Sequence, residues 1–508
     1  MTDFSGPTKF EPQPQHESQA LVGKMNVQIK YIETQTNSTI KRRGGVILKG
    51  AARTERQPVH LLFLIDTSGS MEDQNKLVNV KKSMSFILPL LTERDQISLV
   101  TFDDTAKTHL TRHAVNAENK QALEYKIQQI RTDGSTNLSA GLLTAGGIFE
   151  QGLSQAAERK QGIIVLTDGH ANIGIRDEAQ LLELVRTQLL SKNPGLSLTT
   201  VAYGEDHNAD LLSKMSIEGG GSYNIVKNLE DVASVFGEIL GGLLSISAQM
   251  VEVSFPPEVE VETVYPKEVL EGGVTCVRIG DLYAEAEQTV LFKSSPDQGP
   301  IRVTGVALPG FDRVDIRQQP ELLAQDQEPD STLKMADYRN QVSKLLKDSR
   351  LSARPRADIA REAQDLKMLL EASSFRENML VQMMIEDLNN IIQISTTPQS
   401  HYGLAPTITS HMAQHETYLG VARGLRSPTN TIAAASSAPA APRRLRRSRA
   451  AAQSMAPEPE EVGSAPPVEG DPALMPEAPV LSAQTSIFSN EVQRNITHTL
   501  RTMSQQPE

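Results

Sequence analysis

HLLFLIDTSGSM, residues 60–71, reads as a buried strand running into a loop rich in oxygen donors. Leu61 to Ile65 are apolar without alternation, which suits a strand covered on both faces, and the run stops at Asp66, followed by hydroxyls on either side of Gly69. The next segment places Leu77, Val80, Met84, Ile87, Leu88 and Leu91 at helical spacing, with Pro89 close to the end. Further strand-like runs follow in DQISLVTFDD (95–104), GIIVLTDG (162–169), LSLTTVAYG (196–204) and GSYNIV (221–226), separated by helical patterns. This alternation predicts a doubly wound α/β domain over residues 58–245, a mostly parallel sheet with helices on both faces.

On both sides of this domain the period changes to two. NVQIKYI (26–32) sets Val27, Ile29 and Tyr31 on one face, and GVILKG (45–50) supplies a second strand. After the α/β domain, strict alternation returns in VEVSF, EVEVETVY, VTCVRI, TVLFK and IRVTGV. A two-stranded ribbon is marginal alone, so residues 24–52 and 247–316 are expected to form one β-sandwich into which the α/β domain is inserted. Residues 328–424 read as a helical region, with stripes Met335, Tyr338, Val342, Leu345, then Ile359, Ala363, Leu366, Leu370, then Leu380, Met384, Leu388, Ile391. Met379, Met383 and Met384 fit core filling better than an adaptable groove. Residues 1–23 and 425–482 are expected to be disordered, the latter holding ten of the 28 prolines, and 483–508 could form a terminal helix.

Composition narrows the function classes. A formal net charge of -12 over 508 residues argues against nucleic-acid binding by the chain as a whole, leaving only the cluster Arg443, Arg444, Arg446, Arg447 and Arg449 as a local basic patch or nuclear import signal. Cys276 is the single cysteine, so neither an intramolecular disulfide nor a cysteine-based structural zinc site is expected. The polar N-terminal stretch does not read as a secretory signal, and no run approaches the ~18 apolar residues of a membrane span. A cytoplasmic location, with nuclear entry left open by the arginines, is the expectation.

Three separated motifs carry the chemistry. Asp66-Thr67-Ser68-Gly69-Ser70 ends the first long strand, Gly134-Ser135-Thr136-Asn137-Leu138 precedes a helix, and Leu166-Thr167-Asp168-Gly169 ends another strand. In a doubly wound sheet all three fall at the edge where such folds bind ligands. Taken singly, each is equally a turn or helix cap. Together, in order and at this spacing, they resemble the von Willebrand factor type A domain with its metal-ion-dependent adhesion site. The β-structure and helical region that follow also resemble intracellular proteins built around that domain. The resemblance implies that Asp66, Ser68, Ser70, Thr136 and Asp168 line a metal site, the hydroxyls as ligands and the aspartates partly through water. Hard oxygen donors with few charges suit Mg²⁺, with Mn²⁺ or Ca²⁺ as alternatives.

The expected function is therefore Mg²⁺-dependent protein binding by a non-enzymatic scaffold or assembly protein, with an acidic side chain of the partner completing the metal's coordination. Two rivals remain: a metal-dependent hydrolase using His170 or Asp103 as base, and a structural protein with a vestigial site. Asp103 and Asp104 read more simply as a strand-ending turn, and His170 as a solvent-facing loop residue. His411 and His415 have the spacing of a zinc helix, but Met412 stands where the general-base Glu would be, so no catalytic zinc site is expected. Asp66 and Asp168 show no counter-charge in the motifs. Removing either is expected to leave metal-free stability unchanged or slightly raised.

Overall fold

The computed structural model describes residues 25–36, 39–52, 56–151, 159–204, 206–308, 310–322, 331–351 and 354–396. The expectations for residues 1–23 and 397–508, including the Arg443–Arg449 cluster, His411 and His415, lie outside the described residues.

The chain opens with an antiparallel ribbon, β1 (Met25–Thr36) and β2 (Thr39–Gly50), paired from Met25↔Gly50 to Thr36↔Thr39. The α/β domain follows. Its strands are β3 (Val59–Asp66), β4 (Gln96–Phe102), β5 (Ala106–Ala114), β6 (Lys160–Thr167), β7 (Ser197–Tyr203) and β8 (Gly220–Val226). They form one six-stranded sheet in the order β5-β4-β3-β6-β7-β8, parallel except for the β4–β5 pair. Every residue of β3, β6 and β7 is buried, as central parallel strands between two helical layers require. Helices α1 (Lys76–Ile87), α2 (Ala117–Gln129), α3 (Leu138–Glu150), α4 (Glu178–Leu184), α5 (Ala209–Glu218) and α6 (Leu229–Leu244) connect the strands. One face buries Val80, Met84 and Ile87 of α1 with Phe236 and Leu240 of α6; the other buries Leu142 and Phe149 of α3. Strand β5, absent from the sequence reading, is a polar edge strand with only Leu110 buried, so it carries little apolar signal.

The remaining strands are β9 (Ile246–Phe255), β10 (Glu260–Glu262), β11 (Lys267–Val269), β12 (Thr275–Tyr283), β13 (Glu287–Ser294), β14 (Ile301–Ala307), β15 (Asp312–Gln318) and β16 (Glu321–Leu322). Two five-stranded sheets result, β10-β13-β2-β1-β16 and β11-β12-β9-β14-β15. Their inner faces share one core, in which Ile29, Tyr31, Val46 and Leu48 meet Val251, Val253, Val277 and Val303. The inserted arrangement thus follows from the alternation, because β1 and β2 bury one face only against strands more than 200 residues later.

The α/β domain and the sandwich are joined by more than the chain crossing. Tyr283, Ala286 and Leu308 enter the apolar cluster of α6. At the start of β6 the buried Lys160 donates to Asp281 of β12 at 2.8 Å and to the carbonyl of Gly195 at 2.7 Å. Helices α7 (Ser331–Leu351), α8 (Arg356–Ala372) and α9 (Met379–Thr396) bury the anticipated stripes against one another, Met383 and Met384 among them, so these methionines fill a core. The bundle docks on the sandwich through Arg339, which donates to Tyr265 Oη at 3.0 Å, and through the Arg43–Asp337 pair at 2.8 Å.

Candidate metal centre

Strand β3 ends at Asp66, next to β6, with Ile65 facing Leu166 in the parallel register. Thr167 therefore lies beside Asp66 and donates its hydroxyl to Oδ2, while the Ser68 amide donates to Oδ1 at 2.9 Å. Thr167 Oγ1 also accepts from the Gly169 amide at 2.8 Å, which shapes the turn after β6. Ser68 Oγ and Ser70 Oγ are 3.2 Å apart. Asp66, Ser68, Thr136 and Asp168 are all buried, and Ser70 is half-buried.

The Thr136 loop is tied to the Asp66 loop by backbone hydrogen bonds: Gly69 N–H to Gly134 O at 3.1 Å and Asp133 N–H to Thr67 O at 2.7 Å. Asp104 anchors it from the turn between β4 and β5, accepting from the Ser135 amide at 2.8 Å and, through its carbonyl, from Asn137 Nδ2 at 3.1 Å. Asn172 clamps the other side, its Oδ1 accepting from the Thr136 amide at 2.7 Å. Gly174 (φ +70°) closes this contact, since a Cβ there would fall 2.2 Å from Asn137 Oδ1. Asp104 is thus a loop-positioning residue. Asp103 Oδ1 accepts the Thr105 amide at 3.0 Å, as in a hairpin turn.

One feature overturns a sequence expectation. Lys76, at the head of α1, places Nζ 3.0 Å from Asp168 Oδ2, and the two side chains are 7 % and 0 % exposed. The carboxylates therefore have a counter-charge, and the expectation that removing Asp168 costs no stability is corrected. The signal was present: Lys76 stands four, seven and eleven residues before the buried Val80, Ser83 and Ile87, at the start of the inward stripe of α1. What the spacing lacked was the path of the chain between the motif and the helix.

Burial pushes the Asp66 carboxyl up to about 6, against the hydrogen bonds from Ser68 and Thr167, and neighbouring Asp168 adds to the rise. Asp168 Oδ1 is buried and has no hydrogen-bond partner among the described residues. A buried, orphaned carboxylate oxygen, at the same sheet edge as the Ser68, Ser70 and Thr136 loops, belongs to a donor set whose chemistry fits a hard divalent cation. Among the described residues no group of three or more His, Cys, Asp or Glu could hold a metal, so any site here relies on two carboxylates plus hydroxyls. His170 is half-exposed, 3.5 Å from Asp206. His207, passed over in the sequence, lies within electrostatic reach of Asp168; its Nδ1 faces Gly204 O at 3.0 Å and its Nε2 faces Tyr223 Oη.

Comparison with known proteins agrees with this fold. An uncharacterized Escherichia coli protein, YfbK, is 27 % identical over 215 residues, covering 42 % of this chain and 36 % of that protein. An uncharacterized Synechocystis protein is 25 % identical over 273 residues, 50 % of this chain and 61 % of the relative. Bovine inter-alpha-trypsin inhibitor heavy chain H1 is 28 % identical over 215 residues, 42 % and 22 % of the respective chains. The chain thus spans less than two thirds of each of these relatives. Two solved structures share the fold: a von Willebrand factor type A protein from Catenulispora acidiphila (TM-score 0.55, 12 % identity, 81 % of this chain and 99 % of that one) and the ArnB paralog VWA2 from Sulfolobus acidocaldarius (TM-score 0.52, 15 % identity, 78 % and 99 %). Among the described residues no helix is long and apolar enough to cross a membrane. The family model for the von Willebrand factor type A domain matches residues 60–238, a domain type that typically mediates protein–protein contacts and commonly binds a divalent metal; the inserted α/β domain of this chain belongs to that family.

Proposed function

We propose that the chain is a divalent-cation-dependent protein-binding module in an intracellular scaffold or assembly protein, acting by docking rather than by catalysis. Asp66, Ser68, Ser70, Thr136 and Asp168 would hold Mg²⁺, or Mn²⁺ or Ca²⁺ in its place. When bound, the ion would offer a coordination position to a carboxylate of the partner. The observation that carries the reading is the buried, unpartnered Asp168 Oδ1 at a sheet edge where three loops are hydrogen-bonded together. These contacts pre-set the loops, so little ordering entropy remains to oppose binding. Two carboxylates balance the formal charge of a dication but fill few of its coordination positions, which leaves room for an oxygen ligand from an acidic residue of the partner. Neither candidate base for the hydrolase reading is singled out, since Asp103 shapes a turn and His170 faces solvent. Cys276 is buried, and burial pushes its thiol up to about 11, which makes it an unreactive core residue.

The test is retention of partners from native lysate by the full chain in Mg²⁺ and in EDTA, beside Ser68→Ala/Ser70→Ala. Expected are a Mg²⁺-induced rise in melting temperature and partners lost both in EDTA and in the variant. Equal retention in EDTA, with no thermal response to Mg²⁺, would support the vestigial, structural alternative instead.

A further inference from the structure

We propose that Lys76 is an internal competitor for the divalent cation: its ammonium holds Asp168 in the metal-free protein and leaves that carboxylate when the metal binds. The inference rests on the adhesion-site reading above.

The placement of Lys76 is built by several features. The ammonium sits 3.0 Å from Asp168 Oδ2 with the side chain 7 % exposed. Its stem crosses Gly204, where an added Cβ would lie 2.9 Å from Lys76 Cε, so the strand end makes room for it. Just before it, Gln74 and Asn75 adopt left-handed backbone at φ 53° and 57°, a conformation uncommon for residues other than glycine. This double kink separates the short helical turn at Gly69–Asn75 from α1 and turns the lysine toward the centre. Strained backbone of this kind persists where surrounding contacts hold it, and the Lys76–Asp168 pair is one such contact.

Charge then sets the competition. Asp66 and Asp168 carry two negative charges when ionised and Lys76 one positive charge, all nearly excluded from solvent. A dication entering beside Asp168 meets an ammonium of like sign at short range. Although Oδ1 is open to the metal, this repulsion weakens the ion pair on Oδ2, and the cost of displacing the ammonium lowers the apparent affinity below that of the bare oxygen set. Release of Lys76 also frees the 73–76 kink, which continues the loop bearing Ser68 and Ser70. Metal occupancy is thereby coupled to the conformation of the surface a partner would meet.

Mn²⁺ is the probe, titrated into the full chain by calorimetry or by electron paramagnetic resonance of the free ion. Lys76→Met, which keeps the stem and removes the charge, should bind Mn²⁺ about tenfold tighter or more, and Lys76→Arg should stay near wild type. In wild type, labelling of Lys76 by an amine acylating reagent, read by peptide mass spectrometry, should rise several-fold between EDTA and saturating Mn²⁺. Equal or weaker binding by Lys76→Met, with Asp168→Asn still abolishing it, would overturn the competitor and leave the metal centre standing. Unchanged Lys76 labelling at saturation would overturn it as well, without needing any variant to fold. If neither wild type nor Lys76→Met binds Mn²⁺, the adhesion-site reading fails and the competitor with it.

Discussion

Replacing Asp168 by Ala in metal-free protein leaves the Lys76 ammonium, 7 % exposed, with its carboxylate gone. Breaking a buried pair by removing one partner costs about 3–5 kcal/mol, because the remaining charge stays desolvated. For an α/β domain of this size each kcal/mol moves the melting point by about 2–4 °C, so Asp168→Ala should melt roughly 6–20 °C below wild type in EDTA. Lys76→Met is also destabilising, since it leaves Asp168 unpaired beside Asp66. Removing both partners is different. Asp168→Ala/Lys76→Met should be less destabilised than the sum of the single changes by about 2–3 kcal/mol, since the replacement of a buried pair by apolar groups is often close to neutral. The assay is thermal melting of the full chain in EDTA, followed by circular dichroism, for the four members of the cycle. Asp168→Ala melting within about 2 °C of wild type, or a double variant no better than the sum of the singles, would refute the buried pair.

His60 supplies a pH signature. Its Nε2 lies 2.9 Å from Ser98 Oγ, and burial, with Arg112 and Arg159 adding repulsion, lowers its pKa to about 3. The unfolded chain binds a proton at this imidazole below about pH 6.5 while the folded protein stays neutral down to about 3, so stability falls with pH across that window. Between pH 6.5 and 5 wild type should lose about 2 kcal/mol more than His60→Asn, as measured by urea unfolding; parallel pH curves would discount the buried imidazole. Lys160→Met, which strands the buried Asp281, should lower stability by about 3–5 kcal/mol, and Lys160→Met/Asp281→Leu should recover most of the loss in the same urea series. Loss confined to the Lys160→Met variant with no recovery would place the effect in Lys160 packing alone.

Local pattern determined a good deal of this protein. The unbroken apolar run of β3, the helical stripe of α1 and the alternation of β1, β2 and the later strands fix which faces must be buried. A parallel sheet inserted in a sandwich is an arrangement that buries them all. The placing of the Asp66, Thr136 and Asp168 loops at one sheet edge follows from the same chain order. The polar edge strand β5 was not legible, because its alternation buries almost nothing. Nor were the ion pairs of Lys76 with Asp168 and of Lys160 with Asp281, whose partners lie 92 and 121 residues apart. Charge has no period: a lysine on an apolar stripe declares its partner only once the backbone has folded and desolvated both groups. That is why the loops of the proposed centre could be picked out along the chain, and why the lysine paired with Asp168 could not.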